Sequence, residues 1–313
     1  MKLGLLFAGQ GSQKVGMGAD FYERNAAFRA VFDQLPQELR TLSFQGPMET
    51  LSLTEHTQPV MVAFAAGVMA ALRPELEKLG IAPQMAAGLS LGEYGALHSA
   101  GVFDAETAIR LVTIRGKAMS EAAEGIDCKM TAVLGLERDV LQQCCMEAAA
   151  ATGQYVSIAN YNCPGQIVIA GEALAVDKAG EMVQSCGAKR CMPLPVSGPF
   201  HTKFMEPAGE KLAEVFANTA FGTMAFPVLF NAIGREKTED ESVSDLLIRQ
   251  VSGSVYFEDS IKAMEDAGID TVIEIGPGKA LSGFVRKTCK GMKVLNIETV
   301  EDMEKVLETL KEA

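Results

Sequence analysis

The sequence predicts an α/β protein with a parallel-sheet core and a smaller inserted unit. Three observations carry this. Short apolar strands alternate with helical segments toward both ends of the chain, the pattern of a parallel sheet covered on both faces. Between residues 127 and 195 the order changes to β-α-β-β-α-β, the split βαβ or ferredoxin-like arrangement. The alternating pattern then resumes, so the unit interrupts one large domain. The expected division is 1–126 with 196–313 for the large domain, and 127–195 for the small one.

MKLGLLFAG opens with a strand over 3–8, because its apolar run is too short for a signal peptide and stops at Gly9-Gln10-Gly11. Helical periodicity covers 17–33 and 58–80, with turn residues and short helical pieces between them. A strand over 84–88 leads into Ser90, and helices follow at 92–100 and 104–124. In the inserted unit, strands are expected at 130–134, 156–160, 166–170 and 189–194, with YNCPG turning between the middle pair. Helices fill 137–151 and 172–186. Beyond the unit come a helix over 202–218, a strand over 228–231, and helices over 245–251 and 255–267. A strand over 271–275 ends in GPGKAL, which opens the last major helix.

Composition narrows the function. The formal net charge of −12 over 313 residues argues against broad nucleic-acid binding, which needs a basic face to displace counterions. Seven cysteines at irregular spacing, without a CxxC pair, and three histidines offer little to a metal, so no metal site is expected. Reduced thiols in a cytoplasmic protein fit best. No apolar run reaches the roughly 18 residues that mark a membrane span.

The glycine-rich loop GQGSQKVGMG lacks the third glycine of a dinucleotide fingerprint and the Lys-Ser/Thr of a phosphate loop. GPGK at 276–279 lacks the upstream glycine of a phosphate loop and reads as a tight turn at a helix start. Gly88-x-Ser90-x-Gly92 is different. It stands between a strand and a helix, the context of a nucleophile elbow. A serine nucleophile needs a base. His98 lies on the helix leaving the elbow and points away. His56 lies in TEHTQP, read as a solvated loop. His201, after VSGPF and before a helix, is left by elimination. No Asp or Glu announces itself as a third member, so a Ser-His dyad oriented by another group is expected. Arg115 sits in the apolar helical stretch LVTIRGKAM, either as a structural or snorkelling residue or as a fork for a substrate carboxylate.

Taken together the chain resembles the malonyl-CoA:acyl carrier protein transacylase family. The likeness rests on FAGQGSQ (7–13), LTEHTQPV (53–60), GLSLGEY (88–94), RLVTIRGKAM (110–119), NYNCPGQIVIAG (160–171), LPVSGPFHTKFM (194–205), LIRQ (247–250) and EIGPGKAL (274–281), in the family's order. It implies an α/β-hydrolase-like large domain with a ferredoxin-like insertion. It implies Ser90 as the acylated nucleophile, His201 as base and acid, and the Gln250 main-chain carbonyl orienting the imidazole. Gln10 and Leu91 would give backbone N–H groups to the oxyanion, and Arg115 would pair with the malonyl carboxylate. Met119, Asn160 and Asn162 would line or support the pocket. Phe200 resembles the aromatic of malonyl-selective members and would crowd an α-methyl branch. The partners implied are malonyl-CoA and a phosphopantetheinylated, acidic acyl carrier protein. No further cofactor is implied, and a monomer is expected. Lys189, Arg190, Arg286 and Lys287, with Lys290 and Lys293, are candidates for carrier docking. One departure is visible: the family usually has GHSLG, and here Leu89 replaces that histidine. The alternatives are a polyketide-pathway acyltransferase of the same fold, a serine thioesterase or esterase, and a non-catalytic carrier-binding module.

Overall fold

The computed structural model describes residues 1–312. The chain opens with β1 (Leu3–Phe7), followed by α1 (Ala19–Arg24), α2 (Ala26–Phe32), α3 (Gln37–Gln45), α4 (Met48–Leu51) and α5 (Thr54–Lys78). The single helix expected over 17–33 is two helices. Asn25 adopts extended backbone between them, and its side chain accepts the Phe28 N–H at 2.9 Å, capping α2. Helix α5 begins one turn before the expected position. Pro59 looks like a start signal but lies inside the helix, where it removes one N–H from the ladder. Burial of every residue from Thr57 to Met69 offsets that loss. His56 is therefore not in a solvated loop. It lies half-buried in the first turn of α5, with Nδ1 2.9 Å from the Thr50 carbonyl. Helix α5 is long and apolar enough to cross a membrane by length and composition, yet 78% of its apolar window is buried inside the protein.

Next come β2 (Pro83–Gly88), α6 (Gly92–Ser99) and α7 (Ala105–Ala123). The inserted unit supplies β3 (Cys128–Leu134), α8 (Arg138–Thr152), β4 (Val156–Cys163), β5 (Gln166–Glu172), α9 (Ala173–Ser185) and β6 (Arg190–Pro193). After one 3₁₀ turn at Lys203–Met205 the chain continues through α10 (Glu206–Phe216), β7 (Val228–Phe230), β8 (Arg235–Glu236), α11 (Val243–Ser252), β9 (Val255–Tyr256) and α12 (Phe257–Asp266). It closes with β10 (Thr271–Ile275), α13 (Ala280–Thr288), β11 (Lys293–Ile297) and α14 (Val300–Lys311). GPGKAL thus does not open the last helix. KVLNI adds an edge strand, and Thr299 with Asp302 forms a capping box that starts α14.

The large sheet has the order β11-β10-β1-β2-β7-β8, parallel except for β8. The chain leaves β1 toward β2 and β7, then returns to β10 on the other side of β1. Ligands in such sheets bind outside the carboxyl ends of strands at this reversal. The carboxyl ends of β1, β2 and β7 deliver Gln10, Ser90 and Asn231. The second sheet runs β6-β3-β5-β4 with antiparallel pairing, the ferredoxin-like order, and gains β9 as a parallel fifth strand. The sequence placed 255–256 in a helix. The structure takes them first through two strand residues paired with Asn160 and Tyr161, tying the insertion to the large domain. Side chains alternate across this sheet. Val133, Ile158, Ile167 and Ile169 pack with α8 and α9, whereas Met130, Ala132, Val168 and Ala170 join the main core.

Candidate active site

The elbow forms because the sequence supplies space where backbones nearly touch. A Cβ on Gly88 would lie 1.9 Å from the Gly92 carbonyl carbon, and one on Gly92 would lie 2.1 Å from the Phe7 carbonyl oxygen. A Cβ on Gly9 would meet the Leu89 oxygen at 2.4 Å. Each clash is with backbone, which cannot swing aside. Gly88→Ala should therefore destabilise the fold by about 3 kcal/mol or more, seen as a lower urea midpoint at unchanged slope. A loss under about 1 kcal/mol would show that the elbow opens easily. The turn also bends Ser90 itself. Ser90 has φ 52° and His201 has φ 60°, the positive-φ residues other than glycine among those described. Such backbone is costly for side-chain-bearing residues and persists where surrounding contacts impose it.

Those contacts bring Ser90 Oγ to 2.7 Å from His201 Nε2. The other ring nitrogen, Nδ1, lies 2.8 Å from the Gln250 carbonyl, which can only accept. Nδ1 thus carries the proton, and Nε2 is free to accept one from Ser90. Burial, and then the charge of Arg115, push the His201 pKa down to about 4, against upward pulls from the Gln250 and Gly253 carbonyls. The imidazole is neutral at pH 7. Hence kcat/KM should stay flat as pH falls from 7 to about 5, where an ordinary histidine would charge, and should drop as pH falls through about 4. Unfolded histidine titrates near 6.5, so between about 6.5 and 4 the unfolded chain takes up a proton that the native imidazole refuses. This residue's contribution to stability is full above that window and is lost as pH falls through it. A kcat/KM profile with its acid limb near pH 6.5 would contradict a neutral, buried base.

Arg115 is almost fully buried on α7. Its Nη1 donates to Gln58 Oε1 at 2.9 Å, and its Nη2 donates to Gln250 Oε1 at 2.9 Å and to Ser90 Oγ at 3.2 Å. All three partners are neutral, and Nε has no partner among the described residues. The nearest buried acid, Glu93 on α6, has its pKa pushed up to about 8 by burial, opposed by the Asn231 N–H, the Gln250 side chain and Arg115. At pH 7 Glu93 is mostly protonated. At pH 7 this guanidinium has no ionised partner among the described residues, and its charge is complementary to a carboxylate.

The cavity is about 160 Å³. Ser90, His201, Arg115, Gln10, Met119, Asn160, Asn162 and Phe200 all line it, together with Leu89. Asn162 Oδ1 is buried without a partner among the described residues. The Gln10 and Leu91 N–H groups donate to no described group, and Leu91 precedes the positive end of α6. The structure also sorts the bystanders. His98 Nδ1 sits 3.0 Å from the Phe103 carbonyl, away from the elbow. Lys189, Arg190, Arg286 and Lys287 are exposed. Arg190 and Gln166 both pair with Leu134, and the Gln166 side chain accepts from Lys287 Nζ at 3.0 Å, so Arg190 and Lys287 lie toward the same end of the small sheet.

Three residues at the site escaped the sequence reading. Gln58 braces Arg115, Glu93 lies buried in the first turn after Ser90, and Asn231 bonds to the elbow. A carboxylate in the first turn after the serine was a visible signal for Glu93. Gln58 and Asn231 come from distant segments and left none.

Comparison with known proteins identifies the family. Residues 5–309 match the acyl transferase domain family. The malonyl CoA-acyl carrier protein transacylase of Bacillus subtilis (strain 168) is 40% identical, covering 99% of this chain and 98% of that one. The crystal structure of the Clostridium perfringens malonyl CoA-acyl carrier protein transacylase superposes with a TM-score of 0.91 at 41% identity, covering 100% of this chain and 98% of that one. A malonyl-transacylase solved in complex with a type II PKS acyl-carrier protein superposes at 0.92 with 37% identity, covering 99% of this chain and 100% of that one. An acyltransferase site on an α/β-hydrolase-like domain with a ferredoxin-like insertion, matched over the whole chain, places this protein in the malonyl CoA-acyl carrier protein transacylase family.

Proposed function

We propose that this chain moves a malonyl group from malonyl-CoA to the phosphopantetheine thiol of an acyl carrier protein, by a ping-pong route through an ester on Ser90, in fatty acid biosynthesis. One observation carries the reading: Ser90 Oγ is within hydrogen-bond reach of both His201 Nε2 and Arg115 Nη2, so nucleophile, base and carboxylate receptor meet at one atom. In the first half-reaction Ser90 Oγ bonds to the thioester carbon as its proton passes to His201. The oxyanion is received by the Gln10 and Leu91 N–H groups. The C–S bond then breaks, and the CoA thiolate takes the proton from His201. In the second half-reaction the carrier thiol attacks the ester, again with His201 as base, and Ser90 regains its proton.

Arg115 anchors the malonyl carboxylate through both halves. Met119, Asn160 and Asn162 shape the wall, and Phe200 crowds any α-methyl branch. The Gln250 carbonyl does the orienting work that a carboxylate does in a triad. The reaction uses no cofactor beyond the pantetheine arms of its substrates. The exposed cations Lys189, Arg190, Arg286 and Lys287 suit an acidic carrier, and steering by them would weaken with salt. We place the enzyme in the cytoplasm as a monomer, with the small domain spanning 127–195.

The test is transfer itself. With malonyl-CoA and holo carrier protein, the carrier should gain one malonyl group, and malonyl-CoA should be stable when carrier is omitted. Sustained hydrolysis without carrier would instead identify a thioesterase. The complex of a malonyl-transacylase with a type II PKS carrier favours a second reading, supply of a polyketide carrier. Offering both carriers in one reaction separates the two by which is loaded first.

A further inference from the structure

Asn231 follows β7 directly, is completely buried, and has every polar group engaged. Its N–H donates to Glu93 Oε2 at 2.6 Å, and its carbonyl accepts the Tyr256 N–H at 2.8 Å. Its side chain does something more specific. Oδ1 accepts the Ser90 N–H at 2.6 Å, while Nδ2 donates to the Gly88 carbonyl at 2.7 Å. One amide thus closes across the two peptide groups that flank Leu89. The other polar atoms of these peptide groups bond locally, the Leu89 N–H to the Phe7 carbonyl at 3.1 Å and the Leu89 carbonyl to the Gly92 N–H at 2.9 Å, and the Asn231 amide takes the remaining two.

We propose that Asn231 is a positioning residue for the acyl transfer. Its amide holds Ser90 in the left-handed conformation that aims Oγ at His201 Nε2. This rests on Ser90 being the acylated nucleophile. The fixed end of the amide is set from two sides. Glu93 ties it to α6, and Tyr256 ties it to β9, whose neighbour Val255 pairs with the cavity residue Asn160. The Gln250 side chain donates to the Ser90 carbonyl at 2.9 Å and completes the grip from the opposite side. Without the amide, Ser90 relaxes toward ordinary backbone and Oγ leaves the line to Nε2. The malonyl site on Arg115 remains, so binding survives while the chemical step slows.

The amide has a usable mimic. In N231D a protonated carboxyl offers one O–H to the Gly88 carbonyl and one C=O to the Ser90 N–H, the same pattern as asparagine. An ionised one sets an oxygen against that carbonyl. Burial and the Glu93 carboxyl raise the pKa of the introduced acid, whereas the nearby Arg115 charge lowers it and His201 stays neutral.

The experiment is rapid-quench acylation by malonyl-CoA, read by intact mass, for the wild type, N231A and N231D across about pH 5.5 to 7, where Glu93 stays mostly protonated. N231A should acylate about 100-fold more slowly, with KM for malonyl-CoA within about threefold of the wild type. N231D should accelerate as pH falls, while the wild type stays flat. Should N231A fail to fold, the N231D profile decides. Acylation of N231A at the wild-type rate, a loss confined to KM, or an N231D profile parallel to the wild type would each overturn the assignment. A wild type that forms no adduct would remove the reading of Ser90 itself.

Discussion

Arg115→Ala is expected to lower kcat/KM for malonyl-CoA about 10³-fold, roughly 4 kcal/mol, and to shift the preference toward acetyl-CoA. The buried guanidinium already meets Gln58, Gln250 and Ser90, all uncharged, while Glu93 behind it is held mostly protonated at pH 7. A malonyl carboxylate brings the counter-charge this site lacks. An acetyl group brings none, and in the wild type it must leave the guanidinium desolvated beside a methyl. Truncation removes both the attraction and that penalty. A second readout follows from the same charge. Arg115 helps to depress the His201 pKa, so the acid limb of kcat/KM should move to higher pH in the variant. An unchanged malonyl-to-acetyl ratio would show that Arg115 is structural.

His201→Ala is expected to slow acylation of Ser90 by about 10⁴-fold. The imidazole is the group within reach that can take the Ser90 proton, at 2.7 Å, and its tautomer is fixed by the Gln250 carbonyl at 2.8 Å. Arg115 also contacts Oγ, but a guanidinium donates and cannot accept. Malonyl-CoA should still bind, so KM should change little while kcat falls. A variant that acylates within about tenfold of the wild type would mean that another group serves as base.

Much of this site was legible because the chemistry is written in short local motifs. Gly88, Ser90 and Gly92 can be read from sterics alone, and the distances under 2.5 Å to any added Cβ bear that reading out. The ordered motifs shared with one family then linked Gln10, Arg115, His201 and Gln250, which no local pattern connects. That Gln10, Arg115 and His201 line one cavity, with Gln250 bonded to the last two, is a property of the fold. What stayed hidden depends on contacts distant in sequence. Asn231 lies 141 positions from the serine it holds, in a stretch that reads only as a strand end. Gln58 read as the first residue of a helix, with no sign that the helix starts a turn earlier and buries it against Arg115. Strand β9 is two residues long and exists through pairing with β4, so no periodicity could announce it. Helix α14 is another matter. Its Thr299-Asp302 capping box was a readable local signal.

Leu89 shows the same division. Where the family motif usually has histidine, this chain places a half-buried leucine at the cavity wall, with its N–H donating to the Phe7 carbonyl at 3.1 Å. The backbone bond keeps the elbow shut whichever side chain stands there. Ser90 and His201 are brought together without it.

The most direct measurement is intact-protein mass spectrometry after brief exposure to malonyl-CoA in the absence of carrier. The wild type should gain one malonyl group, mapped by peptide sequencing to Ser90, and Ser90→Ala should gain none while keeping its fold. An unmodified wild type, or an adduct that persists in Ser90→Ala, would contradict acyl transfer through this serine.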